Sequence, residues 1–412
     1  MSLEPLQTND PDSLSPTRQR IESLDLIRGV ALLGILIVNI QAMAMIGSAY
    51  SNPQAFGDFA GSNFWVWWIT EVFFESKMMA IFSMLFGAGI ILLTDRVKDR
   101  GASPFWIHGR RMLWLLLFGI LHAHLIWFGD ILYSYAICGF TVFFFRKMSP
   151  RTLLALGICS ATVPFVFNVG VGASMGFMPQ GTIENFRESW LPSSERVAAE
   201  VDAYRGSWFD QFKQRSSMAT TMQTFVFGII LFWRASGMML IGMALFKLGY
   251  LTNQRSLQEY RRTILICLSV GFTLALFGVQ KNIAEQFRME YSMFFGPLPN
   301  YVGSVFVAVG YIGVLSLWQR TRFLSGLQYA LRAVGRMALT NYLMQSVLAT
   351  TIFYGFGLGW FGQVSRTEQL GIVAGIWVLQ LVWSPVWLHY FRFGPFEWLW
   401  RSLTYVRIQP WR

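Results

Sequence analysis

Apolar stretches long enough to cross a lipid bilayer recur along almost the whole chain, with Lys and Arg collected in alternate gaps between them. A spanning helix needs about 20 predominantly apolar residues, because in hydrocarbon the backbone must satisfy its own hydrogen bonds. Stretches of this kind cover 23–45, 71–93, 108–128, 130–146, 151–177, 226–248, 263–280, 299–319, 337–358 and 370–391. They predict an all-α polytopic membrane protein of about ten crossings. Residues 23–391 form one transmembrane domain in this reading, between a polar tail at 1–22 and a C-terminal segment at 392–412. A composition of 54% hydrophobic and 13% charged residues excludes a single soluble core.

Charge sets the orientation. With a cytoplasmic N-terminus the inner gaps hold 23 cations, whereas the short outer gaps hold only Lys281, Arg288 and Arg366. The positive-inside rule then places both termini in the cytoplasm of a cell whose inner (plasma) membrane carries the protein. The net charge of +11 is accounted for by inner-leaflet headgroups, so no nucleic-acid partner is implied. The first twenty residues lack the basic-then-apolar order of a cleavable signal, and 23–45 reads as an uncleaved signal anchor. Cys138, Cys159 and Cys267 lie in expected spans without metal-ligand spacing and read as packing residues; no metal is expected.

Local signals sharpen the outline. Ser23 or Asp25 can cap the first helix, and Asp25 and Arg28 are spaced to pair. Phe64, Trp65, Trp67 and Trp68 read as an interfacial belt. Phe128-Gly129-Asp130 forces the third and fourth helices into a hairpin at the outer face. Segment 178–215 predicts one or two amphipathic helices over the outer mouth. Ser83 with Gly87, and Gly371 with Gly375, are small-residue pairs suited to close helix approach within the chain, while a homo-oligomer interface stays open.

Ionisable groups in hydrocarbon need a partner or a purpose. Asn39, Glu71, Glu75, Lys77, His122, His124, Asp130 and Arg234 all fall in the outer half of their stretches, and one shared, hydrated, outward-opening cavity is the expectation. His122 and His124 are two apart and face different sides of a helix, so one of them lines it. Asp130 can orient the imidazole facing it, as a general base requires. Glu71 and Glu75 share a face and either meet a cation such as Arg234 or keep one proton. On the inner side Asn341 and Gln345, four apart, suit inter-helix hydrogen bonds or substrate contact. Arg28, Arg110, Arg111, Arg332 and Arg336 can hold a phosphorylated cytosolic ligand or simply set orientation. No nucleotide-binding glycine loop, zinc motif, haem spacing or nucleophile elbow occurs in a sensible context.

Several runs carry a resemblance: Ser23-Leu24-Asp25-Leu26-Ile27-Arg28-Gly29, Lys77 to Phe86-Gly87, Gly129-Asp130-Ile131-Leu132 with Tyr135-Ala136, Gly335 to Ser346, and Gly394-Pro395-Phe396-Glu397-Trp398-Leu399-Trp400-Arg401. In this order they resemble the bacterial YeiB-like family, a domain of unknown function described loosely as transport-associated. The chain is also similar to transmembrane acyltransferases of the heparan glucosaminide acetyltransferase type, which share the opening Ser-Leu-Asp-x-x-Arg-Gly pattern. That likeness implies acyl transfer from cytosolic acyl-CoA to a glycan, lipid or small-molecule acceptor across the membrane. The inner arginines would hold the donor phosphates, His122 with Asp130 would act as base, and Arg234 and Asn39 would stabilise the oxyanion or orient the acceptor. Leu32 stands where bacterial acyltransferases place a His, so His122 would be an independent solution. The alternative is a transporter of a small anionic solute or lipid, with Glu71, Glu75, Lys77 and Arg234 coupling protons or binding the solute. A non-catalytic membrane scaffold is the third reading.

Overall fold

A computed structural model of the protein describes residues 21–412, and every regular element among them is helical. The expected polar tail before residue 21 lies outside the described residues. Helix α1 (Glu22–Ala44) is the most buried of the long helices. Its expected side-chain cap is absent: Ile21 occupies the cap position, and the Ser23 hydroxyl donates instead to the Leu251 carbonyl at 2.9 Å, tying α1 to a distant loop. Asp25 and Arg28 do pair, at 3.2 Å.

After a short α2 (Ser48–Ser51), the Trp-rich α3 (Gly61–Ile69) runs into a π-helical turn, Thr70–Phe74, and the chain then breaks, with Ser76 at φ +63° before α4 (Lys77–Asp99) begins. The crossing expected at 71–93 is therefore interrupted near its start, within a longer apolar segment covering 61–99, and Glu71 and Glu75 lie just before the break. Helices α5 (Pro104–Leu125) and α6 (Leu132–Val142) make the expected hairpin. Helix α7 (Pro150–Ser174) leads to the 178–215 segment, which folds as α8 (Gln180–Trp190), α9 (Ser194–Arg205) and the start of α10 (Trp208–Thr221). That is one helix more than expected, because α10 passes through a π-helical stretch, Met222–Leu231, directly into α11 (Phe232–Lys247). The remainder comprises α12 (Leu257–Ala284), α13 (Met289–Ser292), α14 (Leu298–Gln319), α15 (Ser325–Arg336), α16 (Ala338–Phe353), α17 (Arg366–Tyr390) and α18 (Pro395–Tyr405).

Seven helical segments are long and apolar enough to cross a membrane: α1, 61–99, 150–177, 208–247, α12, α14 and α17. The other three expected crossings fall on α5, which carries two Arg and three His, and on the shorter α6 and α16.

Two glycine crossings hold the centre together. A Cβ on Gly29 would lie 2.0 Å from the Leu331 carbonyl oxygen, and one on Gly335 would lie 1.9 Å from that of Asp25, so α1 and α15 touch backbone to backbone. Gly87 and Gly242 do the same for α4 and α11, each with a carbonyl oxygen 2.0 Å from its missing Cβ. Such contact lets dispersion replace the hydrophobic effect, which does not drive association in lipid. Gly371 and Gly375 differ from expectation: nothing stands within 4 Å of either missing Cβ, so the pair is not used inside the chain.

The start of α16 is capped by another helix. Glu397, on α18, accepts from the amides of Leu339 (2.6 Å) and Thr340 (3.1 Å) and from the Thr340 hydroxyl (2.6 Å). A carboxylate there meets the positive end of the helix dipole. Burial pushes the Glu397 carboxyl above its ordinary pKa, and the Thr340 and Leu339 donors pull it back. Glu397→Ala leaves these donors unmet and is expected to cost about 1.5–3 kcal/mol, read as a lowered Tm in detergent. An unchanged Tm would show the cap to be dispensable.

Candidate functional site

The α5–α6 hairpin builds the first cluster. Gly119 permits it, since a Cβ there would lie 2.2 Å from the Tyr133 nitrogen and 2.8 Å from Asp130 Oδ2. Asp130 then caps the start of α6 by accepting from the Tyr133 amide at 2.7 Å through Oδ2, while Oδ1 accepts from His122 Nδ1–H at 2.8 Å. A carboxylate is acceptor-only, so the hydrogen-bond pattern assigns the imidazole proton to Nδ1 and the lone pair to Nε2. Both side chains are only 1% exposed. Nε2 is buried and has no hydrogen-bond partner among the described residues. The Tyr342 ring lies 5.2 Å from the imidazole, and its hydroxyl accepts from the Ile131 amide at 3.2 Å. An oriented imidazole with a free, desolvated Nε2 has the arrangement of a general base. His124 faces away as its spacing requires, accepting from Ser216 Oγ at 2.8 Å and donating to Gln223 Oε1 at 3.2 Å.

A second cluster gathers on α14. Lys77, fully buried, donates to Asn300 Oδ1 at 2.5 Å and to the Glu71 carbonyl at 2.6 Å, and Asn300 Nδ2 donates to the Glu71 carboxylate at 2.9 Å. Glu75 instead accepts from the hydroxyls of Tyr50 and Ser76, each at 3.2 Å. Arg234 Nη2 donates to Ser304 Oγ at 2.6 Å, and the guanidinium lies 4.0 Å from the centre of the Tyr301 ring. Ser304 is one turn beyond Asn300, so one face of α14 receives both cations.

The single shared cavity is thus corrected to two clusters, one between α5, α6 and α16 and one on α14. Arg234 meets neither Glu71 nor the His122 imidazole. Equal depth in the bilayer does not make two helices neighbours. Asn39 is half-buried and makes no side-chain hydrogen bond among the described residues. Asn341 and Gln345 act as inter-helix contacts to α17: Asn341 donates to Ser384 Oγ at 3.0 Å and accepts from Trp383 Nε1 at 3.0 Å, and Gln345 donates to Gln380 Oε1 at 2.9 Å.

The five inner arginines also divide. Arg332 pairs with Glu22, and Arg336 donates to the Arg392 carbonyl at 3.4 Å, so both are tied into the fold. Arg110 Nε is buried without a hydrogen-bond partner among the described residues. Arg111 lies 3.7 Å from the Trp400 ring, whose Nε1–H donates to the Arg111 carbonyl at 2.8 Å, and Arg28, Arg401, Glu397 and Tyr405 are near enough to act on it electrostatically. Arg401 and Tyr342 were missed as site residues. Each sits inside a run that carries the family resemblance, which was the available signal.

Apart from Glu22 and Val30, the residues of α1 that keep exposure are Arg28, Ile35, Asn39 and Ala42. Steps of seven, four and three residues put them on one stripe, which extends about 21 Å. Gly34 against Met78 of α4 bounds one side of that stripe, and Gly29 against α15 bounds the other. On α5, Arg111 and His122 are three turns and about 16 Å apart on one face.

The comparisons with known proteins point one way. A family model described as "Protein of unknown function (DUF418)" matches residues 245–407, which include α14, the α15–α16 break and Glu397. The chain is 33% identical to the uncharacterized protein YeiB of Escherichia coli K12 over 392 residues, covering 94% of this chain and 96% of that one. It is also 33% identical to the uncharacterized protein YxaH of Bacillus subtilis 168 over 423 residues, covering 97% and 98%. An uncharacterized 39.9 kDa protein of Bacillus acidopullulyticus is 28% identical, covering 97% of each. Likeness at this level from end to end, on a helical chain with seven candidate membrane crossings, means that the protein belongs to the YeiB-like family.

Proposed function

We infer that this protein is a membrane-embedded acyltransferase, moving an acyl group from a cytosolic acyl-CoA to a hydroxyl or amine of an extracytoplasmic or outer-leaflet acceptor. The observation that carries this reading is the buried His122–Asp130 pair with Nε2 unpartnered, three turns along α5 from Arg111. In this reading the chain crosses the inner membrane ten times with both termini in the cytoplasm. Arg28, Arg111 and Arg401 meet the donor phosphates, and the thioester arm lies along the half-exposed stripe of α1. His122 Nε2 takes the proton from the acceptor as its oxygen or nitrogen attacks the thioester carbonyl. The tetrahedral intermediate then breaks its C–S bond, and the departing CoA thiolate receives that proton from the imidazolium.

Thermal-shift titration of the purified protein with acetyl-CoA and longer acyl-CoAs tests the reading, since a ligand that binds the folded state raises Tm. Arg111→Gln is expected to weaken the apparent affinity about ten-fold, the worth of one charge-assisted phosphate contact. Absence of stabilisation by every acyl-CoA would remove the donor site.

One observation favours a second reading. The helix break at Glu75–Ser76 places buried Lys77 and two carboxylates at an interrupted crossing, a recurring construction in transporters of anionic solutes or lipids. That reading expects pH-dependent flux that survives His122→Ala.

A further inference from the structure

Arg234 has no part in the transfer chemistry above, and its charge is not neutralised by the protein. It lies 13 residues from Lys247 at the inner end of α11, about 20 Å along the helix, and so well within the hydrocarbon. Nη2 is bonded to the neutral Ser304, Nη1 is buried without a partner, and no ion pair among the described residues involves this guanidinium. Tyr301, over which it stacks, is no counter-ion, because its hydroxyl donates to the Ala161 carbonyl at 2.7 Å. Arginine stays protonated in proteins, so the missing element is an anion. A charged side chain left unpaired near the bilayer centre is costly and calls for a partner.

Access narrows the class of anion. On the inner side of Arg234 the residues Ala235–Ala244 are all buried, which closes that approach. On the outer side lies the π-helical stretch Met222–Leu231, in which no residue is buried and Phe225 is 64% exposed. The open approach is therefore apolar. An inorganic anion would have to leave water to use it, whereas an amphiphile would keep its chains in hydrocarbon while its headgroup reached the guanidinium. The π-helical hydrogen-bond pattern widens the helix next to the charge, a distortion frequent at functional sites.

We propose that Arg234 and Ser304 form the headgroup site of an acidic phospholipid that enters sideways from the outer leaflet along the 222–231 stretch, its phosphate oxygen pairing with Nη1. The site lies apart from His122 and goes beyond the acyl-transfer reading, and it stands whether or not that reading holds.

The test uses the purified full-length protein in neutral detergent, titrated with phosphatidylglycerol, phosphatidylcholine or inorganic phosphate while Tm and lipid adducts in native mass spectra are followed. Phosphatidylglycerol is expected to raise Tm and persist as an adduct where phosphatidylcholine does not. In Arg234→Gln that preference is expected to weaken about ten-fold. Equal responses to the two lipids, or a preference unchanged in Arg234→Gln, would overturn the site. A shift produced equally by inorganic phosphate would also overturn it, because the occupant would then be a soluble anion. Should Arg234→Gln fail to fold, Arg234→Lys decides: it keeps the charge but loses the two-nitrogen fork, so the preference is expected to fall several-fold, and an unchanged preference sinks the proposal.

Discussion

Replacing His122 with Ala is expected to slow acyl transfer by about 10²–10⁴-fold while leaving acyl-CoA binding near its wild-type strength, because the base acts in the chemical step and the donor phosphates sit at the other end of α5. Asp130→Asn makes a finer cut. The Asn carbonyl can still accept from the Tyr133 amide, but its NH₂ would donate to Nδ1 and drive the imidazole proton onto Nε2, the atom that must be bare. The fold then survives with the wrong tautomer, and the rate is expected to fall nearly as far as in His122→Ala. The measurement is transfer of an isotope-labelled acyl group from acyl-CoA to envelope lipid or glycan in proteoliposomes, read by mass spectrometry, with Tm as the control for folding. Full activity in His122→Ala with folding intact would end the proposal in this form, and pH-dependent solute flux in the same variant would favour the transporter reading.

Gly335→Ala is expected to destabilise the protein by about 3 kcal/mol or more, at or beyond the upper end of ordinary overpacking. The added methyl would sit 1.9 Å from the Asp25 carbonyl oxygen, and backbone cannot swing aside as a side chain can. The helices must separate, which also moves Arg28. Gly371→Ala provides the contrast, since its methyl meets nothing within 4 Å and its cost is expected to stay within about 0.5 kcal/mol. Thermal unfolding of both variants in one detergent checks the pair, and equal Tm values would show that the α1–α15 contact is softer than its geometry implies.

Much of the site was legible where partners are close in the chain. His122 and Asp130 flank a hairpin of a few residues, and helix periodicity alone turns His124 the other way. Asp25 and Arg28 likewise pair by spacing. Glu397 and Thr340 lie 57 positions apart, and Lys77 and Asn300 lie 223 apart, so nothing local announces either bond. The break at Ser76 was missed because Glu71, Glu75 and Lys77 fit an uninterrupted helical period as well as they fit the real π-helical turn and left-handed residue.

From the sequence alone came the helical class and the run of candidate crossings, because in lipid each segment must satisfy its own backbone and hydropathy is counted residue by residue along one axis. Which helices stand side by side was decided only in the tertiary structure. That lateral order sends Arg234 to α14 and leaves His122 with α6 and α16, separates the two clusters, and sets Gly29 against α15. Hydropathy carries no information about directions within the membrane plane, where close packing of small residues and pairing of buried polar groups choose the neighbours.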